Sequence, residues 1–178
     1  MYIANYLSPL GKIILASNGY ALTRTWFEGQ KYFPDLSNSV FKQLPVFEES
    51  FQWLDNYFLG KKTHKLPILH LEGTPFRLLV WKLLQNVPYG TTMTYGELAY
   101  HTALIMNKTK ISAQCIGNAV GHNPISIFIP CHRIIGSNGS LIGYAGGITR
   151  KQILLNLEQT HTTIADVLSV SCQDAVLK

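Results

Sequence analysis

The sequence predicts an α+β protein: a small N-terminal antiparallel sheet with a covering helix, then a mainly helical C-terminal half. Three observations carry this. Short β-branched and aromatic runs broken by turn residues fill positions 1–30. Apolar side chains recur at helical spacing over 46–59. After Gly73 come further apolar stripes preceded by helix-capping residues. Division of the chain is expected at 1–72, 73–160 and a tail, 161–178.

The first strands are read at IANYL, GKIILAS and YALTRTWF, with Asn18-Gly19 as a hairpin turn. Residues 30–45 read as loop. Phe47, Phe51, Leu54 and Phe58 form the stripe of the covering helix. Weak alternation at Leu66, Ile68, Leu69 and Leu71 predicts one more strand. Thr74-Pro75 opens a helix over 76–86, because proline suits the first helical position, with Phe76, Leu79, Val80 and Leu83 as its buried face. Thr94 and Glu97 match a capping box, which starts a helix through Leu98, Ala99 and Leu104. A helix over 111–120 follows after a turn at Asn107-Lys108, and the pair has the outline of a helix-turn-helix. The apolar run 125–129 reads as extended. A last helix is expected over 150–158, and the tail as a terminal helix or a frayed end.

Apolar residues make up 47% of the 178 and charged residues 14%, a balance that excludes a disordered chain. No run of 18 apolar residues occurs, so no membrane helix is expected, and the N-terminus lacks a secretory pattern. Net charge is +5. No acidic residue occurs between Glu97 and Glu158, while Lys108, Lys110, Arg133, Arg150 and Lys151 do. A polyanion is drawn to that half of the chain. Cys115, Cys131 and Cys172 have no metal or disulfide spacing, which fits free thiols in a reducing, cytoplasmic setting. His64, His70, His101, His122 and His161 show no metal-ligand pattern, and neither a P-loop nor a dinucleotide fingerprint is present.

Cys131 is the leading candidate for chemistry. The run 125–129 delivers it past Pro130 to a polar turn, beside His132 and Arg133. A neighbouring imidazole activates a thiol, and the arginine charge favours thiolate. A carboxylate should orient the imidazole; the choices are Glu97, Glu158, Asp166 and Asp174, with Glu158 best placed on the last helix. A buried structural cysteine beside a satisfied histidine fits the same residues. Glycines 143, 146 and 147 around Tyr144 permit sharp turns and close backbone approach to a flat ring; a plain surface loop fits them too.

The segment Ile129-Pro130-Cys131-His132-Arg133-Ile134-Ile135, followed by Gly139, Leu141, Gly143, Tyr144, Gly146 and Gly147, resembles the signature of the O6-alkylguanine-DNA alkyltransferases. Thr94-Tyr95-Gly96-Glu97-Leu98-Ala99, Asn123-Pro124 and the Glu158 helix extend the resemblance over residues 2–159. The resemblance implies a ribonuclease-H-like N-terminal part and a winged-helix-like C-terminal DNA-binding and active-site part. It implies single-turnover transfer of an alkyl group from O6 of guanine, and from O4 of thymine, to Cys131, with the base flipped out of the duplex. His132 would activate the thiol through a bridging water, with Glu158 behind it. Asn123 would link the active-site turn to the helix-turn-helix, Tyr95 would rotate the DNA backbone and protonate the ring near N3, and Arg133 would be structural. Tyr144, Ala145, Ile142 and Ile134 would form the base pocket, the Ala145 region contributing a main-chain amide and Cys131 its carbonyl. Thr94, Lys108, Lys110, Ala113, Gln114 and Gly117 would meet DNA, with the second helix, including Ala119, in the minor groove. The implied partner is double-stranded DNA carrying O6-alkylguanine, bound by a monomer without metal or other cofactor and without a membrane.

Two departures stand out. Many relatives place arginine where Gln114 stands, and the β-branched Ile142 narrows the rim against bulky adducts. The segment 100–110 also looks longer than in some relatives. No four-cysteine zinc site of a regulator domain is present. The alternatives are a DNA-binding module that senses alkylguanine with an inert Cys131, and a thiol hydrolase using Cys131, His132 and Glu158.

Overall fold

The computed structural model describes residues 1–61, 65–160 and 162–168. His64, His161, Cys172 and Asp174, all weighed above, lie outside them. The N-terminal sheet is built from β1 (Tyr2–Ser8), β2 (Gly11–Ser17) and β3 (Leu22–Phe27), paired antiparallel. At the β2–β3 turn the Asn18 side chain accepts from the amides of Tyr20 and Ala21, and Gly19 takes a left-handed φ of +107°. That is the asparagine–glycine turn chemistry the sequence predicts.

β2 lies between β1 and β3 and is buried on both faces. Ile13 and Leu15 enter the main core, while Ile14 and Ala16 join Ile3 and Trp26 on the other side. A two-residue β4 (Val40–Phe41) adds to β1 in parallel, so the sheet is mixed rather than purely antiparallel. The long connection after β3 lets the chain return in the same direction as β1. The expected strand over 66–71 reduces to one bridge. Leu22 donates to the Ile68 carbonyl, and the Leu22 carbonyl accepts from His70.

Helix α1 (Pro45–Phe58) covers the sheet, with its proline in the first turn. Phe47, Leu54 and Phe58 are buried as predicted, but Phe51 is only half-buried, and Tyr57 is sealed completely. Thr74 caps α2 (Pro75–Gln85). Its buried face is Val80, Trp81 and Leu84, rotated from the predicted stripe because the Trp81 indole donates to the Ala119 carbonyl at 2.9 Å.

The Thr94–Glu97 capping box is present and starts α3 (Tyr95–Ile105). Ser112 caps α4 (Ala113–Gly121), so that helix begins two residues later than its expected start, and α3, α4 and α2 pack against one another. β5 (Met93–Thr94) pairs in parallel with β6 (Ile134–Ile135), just after Cys131. α5 (Ile148–Thr160) starts two residues earlier than expected, and residues 164–168 are helical, with Ile164 and Val167 buried.

The run 125–129 is buried but is not a strand. Ile127 sits at φ +72°, a strained conformation for a β-branched residue. Strand β3 pins the run: the Thr25 amide donates to the Pro124 carbonyl and its hydroxyl to the Ser126 carbonyl. The sheet thereby fixes the segment that carries Cys131.

Candidate active site

Cys131 opens a 3-10 turn that includes His132 and Arg133, and its amide donates to the Ile129 carbonyl. The Asn123 amide, just past α4, donates to the same carbonyl at 2.8 Å and to the Cys131 sulfur at 3.0 Å. One side chain thus ties the end of α4 to the thiol. The sulfur is not enclosed by apolar atoms alone, although Cys131 is only 6% exposed.

The next residue in the turn, His132, belongs to a buried relay. Nε2 of His132 is 2.8 Å from Oε1 of Glu158. The same carboxylate accepts from the Tyr57 hydroxyl (2.7 Å), from Nε (2.7 Å) and Nη2 (2.9 Å) of Arg133, and from the Gly90 amide (3.1 Å). Burial alone pushes the Glu158 carboxyl up, but His132 and Arg133 hold it well below the usual range. An ionised Glu158 fixes the proton of neutral His132 on Nε2. Nδ1 is then an acceptor, buried and without a hydrogen-bond partner among the described residues.

Burial, together with the charges of Arg133 and Lys151, lowers the histidine against the pull of Glu158. The imidazole is therefore neutral and available as a base. Burial also raises the Cys131 thiol, although Asn123, Lys151 and local amides oppose it. At rest the pair is thiol and imidazole. This corrects the expectation that Arg133 favours thiolate, since its guanidinium is committed to Glu158 and to the Val87 carbonyl.

The glycine loop forms the adjoining wall. The Tyr95 hydroxyl donates to the Ile142 carbonyl at 3.2 Å, and burial, with the nearby Cys131, pushes its pKa up to about 12. Gly143 has φ +65°, and a Cβ there would lie 2.9 Å from that hydroxyl. A Cβ at Gly146 would meet the rings of Tyr144 and Phe27 at 2.7 and 2.9 Å, so only glycine fits without displacement. Tyr144 is buried, and its ring lies edge-on to that of His132 at 6.4 Å. Ala145 is half-buried, with its carbonyl accepting from the Lys31 amide, and Ile142 is exposed. Ile134, expected in the pocket, has its side chain fully buried in the core because it follows the turn into β6.

On the outer face Ala113, Gln114, Lys108 and Lys110 are exposed, while Gly117 and Thr94 are half-buried. Ala119 is 1% exposed and packs inward, so it cannot approach a ligand. A Cβ at Gly117 would lie 3.8 Å from the Tyr95 ring, so α4 backs directly onto that tyrosine.

Sequence reasoning missed Tyr57, which read as one more aromatic in a covering helix, and Lys151, which read as surface charge. The Lys151 side chain is fully buried, and its ammonium donates to the carbonyls of Ile134 and Ile142. Arg77 was missed as well. With Thr74 and Phe76 it lines an open groove against Gln114, Cys115 and Asn118 of α4. Among the described residues no cluster of histidine, cysteine or carboxylate side chains is arranged to hold a metal, and no helix is long and apolar enough to cross a membrane.

A thiol held by an asparagine and followed in the chain by a buried imidazole–carboxylate pair is the arrangement of a cysteine nucleophile. Residues 1–68 match the ribonuclease-like domain of 6-O-methylguanine DNA methyltransferase, and residues 75–160 match its DNA-binding domain. The chain belongs to that family. The methylated-DNA–protein-cysteine methyltransferase of Haemophilus influenzae is 39% identical over 161 residues, covering 89% of this chain and 87% of that protein. The protein of that name from Methanosarcina acetivorans is 39% identical over 158 residues, covering 89% and 98%. The crystal structure of Mycobacterium tuberculosis OGT in complex with DNA superposes with a TM-score of 0.84 at 38% identity, covering 94% of this chain and 99% of that one.

Proposed function

We propose that this protein repairs double-stranded DNA by moving a methyl or other alkyl group from O6 of guanine, and from O4 of thymine, to Cys131, once per molecule. The observation that carries this reading is the contact of the Cys131 sulfur with Asn123, next in the chain to a His132 paired with Glu158. Family membership and the DNA complex of the mycobacterial relative support it.

The thiol proton passes through one bridging water to Nδ1 of His132, and Glu158 stabilises the imidazolium. The thiolate then displaces guanine at the alkyl carbon. A sulfur–carbon bond forms, the carbon–O6 bond breaks, and the electron pair leaves on the base. Tyr95, kept protonated by its raised pKa, donates to the ring and later regains a proton from the imidazolium through solvent. The thiol proton is thus balanced by the proton gained by guanine. The thioether has no route back to thiol, so each molecule acts once.

Tyr144, the Ala145 amide and Ile142 line the space for the flipped base. α3 and α4 act as a helix-turn-helix with α4 in the minor groove, where Ala113, Gln114 and Gly117 make the close approach, and Thr94, Lys108 and Lys110 serve phosphates. Gln114 fills the gap left by the flipped base without adding charge. The division falls near residue 73, the first part acting as support. We infer a monomer without cofactor, working where its free thiols stay reduced, in the cytoplasm.

The test is a single-turnover assay with an O6-methylguanine duplex. Wild type should consume one equivalent of lesion and stop, and Cys131→Ser should consume none while still binding the duplex. Repeated turnover, or transfer by Cys131→Ser, would overturn the reading.

A further inference from the structure

We propose that Thr25 of β3 is a positioning residue for alkyl transfer: its hydroxyl holds the loop over 123–131 in the shape that points the Asn123 amide at the Cys131 sulfur. This rests on the reading of Cys131 as the acceptor.

The loop is a ring closed by one side chain. Oδ1 of Asn123 accepts from the Ile125 amide at 3.1 Å, while Nδ2 donates to the Ile129 carbonyl and to the Cys131 sulfur. A turned-over amide would set Oδ1 against the Ile129 carbonyl and Nδ2 against an N–H, so Ile125 decides which end meets the sulfur. The Ile125 carbonyl accepts from the Ile129 amide at 3.0 Å and completes the ring.

Thr25 is the bridge partner of Ile125 on the sheet. Two bonds bracket Ile125: the Thr25 amide donates to the Pro124 carbonyl at 2.9 Å, and the hydroxyl to the Ser126 carbonyl at 3.0 Å. Any residue except proline could supply the first bond, but the second needs a side-chain hydroxyl. Thr25 and Ser126 are both buried, so losing that donor would leave a carbonyl underpaired away from bulk water. The grip falls directly before Ile127, whose φ of +72° persists only if the surroundings hold it. Without the hydroxyl the backbone at 126–127 would relax, Ile125 would shift, and the Asn123 amide would lose its aim.

The sulfur would register that loss. Burial raises the Cys131 thiol, and the Asn123 hydrogen bond leads the groups that oppose it. The titratable groups around the sulfur are Tyr95 on α3, His132 in the turn, Tyr144 in the glycine loop and Lys151 on α5. Arg133 and Glu158 are paired with each other. Among the described residues Thr25 hydrogen-bonds to none of these, so its influence on the thiol passes through Asn123.

Two measurements test this without lesion DNA, so their failure would leave the transfer reading standing. The first is the pH dependence of Cys131 alkylation by iodoacetamide, read on the Cys131 peptide by mass spectrometry. Thr25→Val should raise the titration midpoint and cut the thiolate fraction at pH 7 about threefold, and Thr25→Ser should keep the wild-type midpoint. In an Asn123→Ala background Thr25→Val should have no further effect. An unchanged midpoint, an equal shift in both backgrounds, or an equal shift in Thr25→Ser would overturn the proposal. The second covers a valine variant that fails to fold: native-state hydrogen exchange of the wild type. The Ile125, Ile129 and Cys131 amides should open together with the Thr25 amide, at one denaturant dependence. Ring amides that exchange while the Thr25 amide stays protected would show that β3 does not hold the loop, and would overturn the proposal.

Discussion

The Tyr57 hydroxyl, from the helix that covers the sheet, donates to the same Glu158 oxygen that lies 2.8 Å from Nε2 of His132. The Tyr57 hydroxyl itself is 3.3 Å from that nitrogen. The N-terminal part of the chain therefore supplies one donor to the His132–Glu158 relay. Burial and the neighbouring Glu158 raise the tyrosine well above its ordinary pKa, so it remains a donor.

Tyr57→Phe keeps the ring and removes this hydrogen bond. It should cost about 1–2 kcal/mol in stability and slow transfer roughly tenfold, with DNA affinity unchanged. Single-turnover rates beside binding isotherms check this; an unaltered rate would show that Glu158 needs no help from α1.

Acid should weaken the protein through the relay. The folded Glu158 pKa lies below its reference value of 4.5, so its contribution is present above pH 4.5 and is lost as the pH falls below it. His132 has the same sign: its folded pKa lies below 6.5, so stability declines as the pH drops beneath 6.5. Thermal unfolding midpoints should fall on acidification, most steeply below pH 4.5. Glu158→Gln should flatten that slope while costing about 3 kcal/mol at neutral pH.

Gly146→Ala places a methyl group against the Tyr144 and Phe27 rings. Phe27 is also covered by the Arg150 guanidinium, which bonds the Gly146 and Leu10 carbonyls, so the loop has little room to yield. The substitution should cost about 1–3 kcal/mol and reduce transfer more than DNA binding. Denaturant unfolding and transfer assays read the two effects separately.

On DNA, Lys108→Ala with Lys110→Ala should lower the salt slope of binding by about 2, at roughly 0.9 per lost phosphate contact. Gln114→Arg should raise affinity at low salt and steepen that slope. Titrations at several salt concentrations distinguish these outcomes from no change.

The first three strands and the helix caps at Thr74 and Thr94 were legible because each rests on local chemistry, and His132 and Glu158 could be nominated together because few carboxylates lie near Cys131 in the sequence. Asn18-Gly19, Thr74 and Thr94–Glu97 act on amides a few residues away, whereas the Ser112 cap of α4 was not singled out in the sequence. Tyr57 and Lys151 were not legible because their roles depend on partners distant in the chain or on carbonyls, which a sequence does not mark. The run 125–129 misled because strong apolarity signals burial without fixing φ at Ile127. Alternation over 66–71 failed as a strand because only Leu69 finds a bridging partner, on Leu22.

Peptide-level mass spectrometry after incubation with excess O6-methylguanine duplex tests the central claim most directly. One added methylene should appear on Cys131, at one equivalent per protein, with Cys115 unmodified. An unmodified Cys131 peptide, or a methyl group on any other residue, would contradict the account.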